Sequence, residues 1–146
     1  MRPTFFALAC VVATCATGCG RRGPELMPVR GVVRLDGKPL AAVNVAFVPA
    51  PGTPGSGGHA TTKADGRFDI VATIGGVTRP GFGAQRGRHL VAVAEPEVDV
   101  VDGVPVFRSP SRPLQVPSRY GIAETSGLEV EVTEGMADVV LDLKSK

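Results

Sequence analysis

At 146 residues with a formal net charge of +2, from 16 basic and 14 acidic side chains, the chain has room for one domain and too little charge asymmetry for a nucleic-acid partner. It has no Trp, one Tyr and six Phe, so it also lacks the aromatic platforms on which single strands stack. Its three cysteines, Cys10, Cys15 and Cys19, all lie near the N-terminus, which excludes a disulfide framework or a zinc-cysteine site further along.

The first element is an address. Arg2 supplies a short positive segment, and residues 5–16 are apolar over the length of a signal-peptide core, too short for a ~20-residue membrane helix. Small residues then lead to a cysteine in Ala16-Thr17-Gly18-Cys19-Gly20. This ending resembles a bacterial lipobox, although Ala16 stands where Leu is commonest. The resemblance implies a signal peptide over residues 1–18, cleavage before Cys19, and lipidation of Cys19 as the membrane anchor. Cys15 is disfavoured because Thr14 precedes it, and Cys10 leaves almost no apolar core. An ordinary secretory signal with incidental cysteines is the competing reading. Lipid on Cys19 would give stable anchoring through several acyl chains and leave no free thiol in an oxidising compartment. Residues 19–28, with Arg21, Arg22, Gly23 and Pro24, read as a tether.

Strand patterns fill residues 29–143. Val29, Gly31, Val33 and Leu35 share one face of a first strand, opposite Arg30 and Arg34. Asp36-Gly37 is a turn signal, and Pro39 defers the next element. Val43, Val45 and Phe47 alternate with Asn44 and Ala46. Residues 49–58 are a Gly/Pro loop with no core-forming side chain. Residues 60–63, the Ala64-Asp65-Gly66 turn, Phe68 and Ile70 form a hairpin pattern. Residues 72–86 read as irregular. Residues 89–94 are apolar on both faces, as in a central strand. Residues 95–120 contain five prolines and hold at most an edge strand near residues 104–107, with Phe107, Leu114 and Tyr120 available for burial. Leu128, Val130 and Val132 alternate with acidic residues. After Glu134-Gly135, Ala137, Val139, Leu141 and Leu143 do the same. About seven strands, frequent turns and no helical period predict an all-β, antiparallel two-sheet sandwich, with an open barrel as the alternative.

The sequence GVVRLDGKPLAAVNVAFVP resembles the opening of carboxypeptidase regulatory-like domains, and TTKADGRFDI is similar to their T-x-x-DG-x-F hairpin. RGRHLVAVA resembles their G-x-Y-x-V-x-V strand, with His89 where Tyr is usual. VPSRYGIAETSGLEVEVTEG is similar to the end of small bacterial lipoproteins of this type. The resemblance implies a prealbumin-like or immunoglobulin-like sandwich acting as an accessory module, without catalysis and without a cofactor.

The chemical inventory points the same way. A nucleophile triad needs a base and an orienting acid, and the histidines are His59, at the end of a loop, and His89, within a strand. Neither has HxH or HExxH spacing, and Asp36 and Asp65 lack an EF-hand pattern, so no metal site is expected. Arg79, Arg86, Arg88, Arg108, Arg112 and Arg119 read as scattered solvated charge. The expected role is structural or binding, in the cell envelope on its periplasmic or extracellular face. The membrane would be held through Cys19, with an envelope protein or polysaccharide as partner. The alternative is a small envelope hydrolase or metal-dependent enzyme using His59 or His89.

Overall fold

The computed structural model of the protein describes residues 25–74, 77–79, 83–108 and 113–146. Among them are fourteen short strands, one 3₁₀ turn and one short helix. In chain order the strands are β1 (Leu26–Met27), β2 (Arg30–Leu35), β3 (Lys38–Pro39), β4 (Asn44–Pro49), β5 (Gly58–Thr61), β6 (Arg67–Asp69) and β7 (Val71–Ile74). They continue as β8 (Val77–Arg79), β9 (Ala84–Gln85), β10 (Gly87–Ala94), β11 (Val98–Val101), β12 (Val104–Phe107), β13 (Glu129–Val132) and β14 (Val139–Leu143). The 3₁₀ turn Ser118–Gly121 and helix α1 (Ala123–Ser126) precede β13 and pack on β10. No helix among the described residues is long and apolar enough to cross a membrane.

Valine-rich alternation explains the two larger sheets. The first runs β13-β10-β4-β5-β7-β8, and the second is centred on β2, with β14 on one side and β3 and β6 on the other. Val45 and Phe47 of β4, Val91 and Val93 of β10, and Val130 and Val132 of β13 are buried. So are Val33 of β2, Phe68 of β6, and Leu141 and Leu143 of β14, and all of these side chains join one apolar cluster. Phe47 and Phe68 link the sheets, with ring centroids 6.3 Å apart and a tilted geometry. Each such side chain contributes about 1.5–3 kcal/mol by leaving water. The β-rich architecture is thus as expected, and the sheets do not close into a barrel.

Several expectations need correction. The strands outnumber the expected seven partly because several pairings involve elements of only two or three residues. These are β1 with β9, β2 with β3, β2 with β6 and β7 with β8. Residues 72–86, expected to be irregular, include most of the β7–β8 ladder and β9. Leu26–Met27, inside the expected tether, pairs with Ala84–Gln85, and Met27 is buried. Ala50 is buried in the loop expected to lack core residues, its N–H bonded to the Arg88 carbonyl at 2.9 Å.

The pairing is not wholly antiparallel: β14 lies parallel to β2, in register from Val139↔Gly31 to Leu143↔Leu35. Alternation reports which face a residue takes but not the direction of the neighbouring strand, so the pattern could not reveal this. Nor is 60–70 a simple hairpin. The Ala64-Asp65-Gly66 turn does form, with Gly66 N–H bonded to the Lys63 carbonyl at 2.9 Å. The Gly66 carbonyl then accepts from Val33 N–H at 2.9 Å, which draws β6 to β2 while β5 stays with β4. The turn therefore carries the chain from one sheet to the other.

Candidate functional site

Cys19 lies outside the described residues. The two histidines lie on neighbouring parts of the larger sheet, but on opposite faces. His59 on β5 pairs with Ala46 and is exposed, whereas His89 on β10 shares the parity of Phe47 and Val91. His89 is 0% exposed, and its ring centroid lies 6.0 Å from that of Phe47. Its Nδ1–H donates to the Gly87 carbonyl at 3.0 Å, and Nε2 is buried without a partner. The sheet therefore separates the two rings and does not bring them together on one ligand. Among the described residues no three His, Cys, Asp or Glu side chains converge on a metal position.

Tyr120 is buried beneath the C-terminal segment. Its hydroxyl accepts from Lys144 N–H at 3.0 Å and from Arg119 Nη2 at 3.2 Å, and the Arg119 guanidinium lies 4.7 Å from the ring centroid. Burial raises the phenol pKa, but the Lys144 and Arg119 hydrogen bonds, with the charges of the same two residues, bring it below the ordinary tyrosine value. The arrangement anchors the chain after β14 rather than presenting a reactive group.

A different constellation stands out, and its polar pair was not expected from the sequence. The strands β11 and β12 form a two-stranded ribbon joined by Asp102-Gly103, both with positive φ, as a tight two-residue hairpin turn requires. At its base, Arg108 Nη1 lies 3.0 Å from Glu95 Oε2. These side chains are only 11% and 7% exposed, so Arg108 is not the solvated charge its sequence context suggested. Glu95 Oε1 accepts from the N–H groups of Gln115 and of Val116, the latter at 3.0 Å. Arg108 Nη2 donates to the Pro96 carbonyl at 2.8 Å, and its Nε is buried without a partner.

Beside this pair is a cleft of about 430 Å³, walled by Val93, Ala94, Leu114, Val116 and Pro117. Both Glu95 oxygens are engaged, and the Glu97 and Ser118 side chains also line the cleft beside its apolar walls. The ribbon itself lies outside the core. Val100, Val101, Val104 and Val106 are exposed, and Phe107 is 83% exposed, as is Leu114 in part. The expectation that Phe107 and Leu114 would be buried is therefore corrected; Val116 and Tyr120 take the buried positions in that segment. The missed signal was the Asp102-Gly103 dipeptide, flanked by two valine-rich runs that begin after Glu97 and end before Arg108. No protein-family model, curated protein or solved structure matches this chain.

Proposed function

We propose that this chain is an exported, lipid-anchored β-sandwich module of a bacterial cell envelope that works by binding or structural support rather than catalysis. The observation that carries the reading is the run of small residues ending at Cys19 directly after a short apolar segment. The two-sheet sandwich is supported by the single apolar cluster to which both larger sheets contribute. The ordered set of carboxypeptidase regulatory-like motifs belongs to the same reading. A binding role is supported by the apolar ribbon and cleft, whose one buried charge pair is internally satisfied at the carboxylate.

Replacing Cys19 with Ser tests the anchoring. The variant is expected to move from the membrane fraction to the soluble fraction and to lose incorporation of labelled fatty acid. Unchanged fractionation and labelling would overturn the proposal.

A further inference from the structure

We infer that Asp102 is a site of spontaneous covalent modification, where the exposed ribbon turn rearranges to isoaspartate while the other Asp-Gly turns of the chain hold. The inference goes beyond the binding reading and does not depend on the anchor.

The chemistry is local. In an Asp-Gly pair the glycine nitrogen can attack the side-chain carboxyl carbon of the aspartate, because the glycine has no Cβ to shield it. A C–N bond forms, the amide proton and the carboxyl hydroxyl leave together as water, and a five-membered succinimide results. Water then opens the ring. Attack at the side-chain carbonyl restores aspartate. Attack at the main-chain carbonyl breaks the original peptide C–N bond and leaves the chain running through the side-chain carbon. One water is released and one is consumed, so the product is an isomer of the same mass.

The chain contains this pair at Asp36-Gly37, Asp65-Gly66 and Asp102-Gly103. Asp36 and Asp102 make a matched comparison. Their φ values are 49° and 51°, and the glycines that follow have φ of 83° and 80°, so the two turns share one shape. Asp36 is held in place: its N–H donates to the Leu143 carbonyl at 3.0 Å, and its Oδ1 accepts from Ser145 N–H at 3.1 Å. Side-chain and then backbone hydrogen bonding from Ser145 keeps the Asp36 carboxyl below its ordinary value of 3.8. Less of it therefore carries the proton with which the hydroxyl leaves. At Asp65, Oδ1 accepts from Arg67 N–H at 3.0 Å, and the attacking nitrogen of Gly66 is itself bonded to the Lys63 carbonyl at 2.9 Å. Among the described residues no hydrogen bond or ion pair holds the exposed Asp102 carboxylate.

The surroundings act in the same direction. The Asp36 turn follows β2, which carries the buried Val33 and is flanked by β14. The Asp102 turn ends a ribbon whose Val100, Val101 and Val104 are exposed. Ring closure needs the carboxyl carbon to swing onto the next nitrogen, and a segment with few buried contacts opens to such geometries at low free energy. Closure is therefore concentrated at the ribbon. An isoaspartate there adds a methylene to the main chain, so the two-residue loop no longer matches the twist of β11 and β12.

The test is ageing of the purified full-length protein at neutral pH. Aged and fresh samples are labelled with an isoaspartate-specific carboxyl methyltransferase and a radiolabelled methyl donor, then mapped by peptide. The Asp102 peptide is expected to gain about tenfold more label than the Asp36 or Asp65 peptide, since a hydrogen bond that must break first slows closure by about that factor. Asp102→Glu, which would have to close a six-membered ring, is expected to lose this label and keep the parental melting curve. Ser145→Pro removes both groups that hold Asp36 and is expected to raise the Asp36 label several-fold with Asp102 unchanged. Label that is absent, or no greater at Asp102 than at Asp36 and Asp65, overturns the inference. So does an Asp36 label that fails to rise in Ser145→Pro.

Discussion

His89 shows how a single side chain can depart from a pattern and still be carried by it. The apolar run that it opens was read as a central strand, and the ring lies in one, but nothing in that pattern explains why a polar ring should be enclosed. In the structure one ring nitrogen is satisfied by Gly87 and the other is not. A buried polar atom without a partner costs about 1–3 kcal/mol. His89→Leu, which keeps a similar volume, is therefore expected to hold or raise the melting temperature. A fall equivalent to more than about 1 kcal/mol would mean that Nε2 contributes an interaction this account lacks. Gly37 and Gly66 provide a second comparison at the same scale. Both follow Asp and both have positive φ, as the turn patterns implied. A Cβ on Gly37 would meet nothing within 4 Å, whereas one on Gly66 would lie 2.8 Å from the Val33 carbonyl oxygen. Gly37→Val should cost about 1 kcal/mol through backbone strain alone, and Gly66→Val measurably more in the same denaturant titration. Equal losses would contradict the close approach. The turns were legible because Asp-Gly encodes backbone angles locally. The approach of Gly66 to β2 was not, because it depends on which sheet the chain enters next.

Among the elements, the β11–β12 ribbon depends on the Glu95–Arg108 charge pair at its base. Removing one partner of a buried pair strands the other in a medium that solvates it poorly. Arg108→Ala is therefore expected to destabilise the protein by about 3 kcal/mol, and to speed proteolytic cleavage within residues 98–107. By contrast, Arg88 and Glu129 lie 3.8 Å apart and half exposed, so Arg88→Ala should cost less than about 1 kcal/mol. Thermal melts of the two variants check the contrast, and similar losses would place the Glu95–Arg108 pair effectively in solvent. On the strand pair β2–β6, the Lys63 hydrogen bond to Asp69 is the main cause of its lowered pKa, with the Lys63 and Arg30 charges adding to it. A carboxylate with a depressed folded-state pKa contributes stability that is present above its ordinary value of 3.8 and is lost as pH falls through the folded value. Asp69→Asn should therefore flatten the acid limb of the stability profile below about pH 4, with less than about 1 kcal/mol at stake because the ions are half exposed. An unaltered acid limb would contradict this origin of the shift. The strands themselves were readable from alternation wherever one face met the core. The edge strand near residues 104–107 was readable and forms as β12, but its pairing with β11 was not, because an exposed ribbon packed on no core lacks the contrast that alternation supplies.

For the whole molecule, composition and periodicity led directly to a β-rich domain with a valine core. Val33, Val45, Phe47, Val132 and Leu143 occupy interior positions that the parity of their strands had already assigned. The parallel closure of β14 on β2 and the division of β5 and β6 between sheets were beyond reach, because both depend on contacts between segments distant in sequence. The candidate patch was hidden for the same reason: Glu95, Arg108 and Leu114 meet only after the ribbon folds back. The anchoring claim depends on the opposite kind of information, a short local signal ending at Cys19, and it determines where the whole domain works. The measurement that tests it most directly is the intact mass of the chain purified from the envelope. The account predicts a polypeptide beginning at Cys19 with diacylglycerol and further acyl mass on that residue. A chain that retains residues before Cys19, or begins elsewhere with Cys19 unmodified, would contradict it.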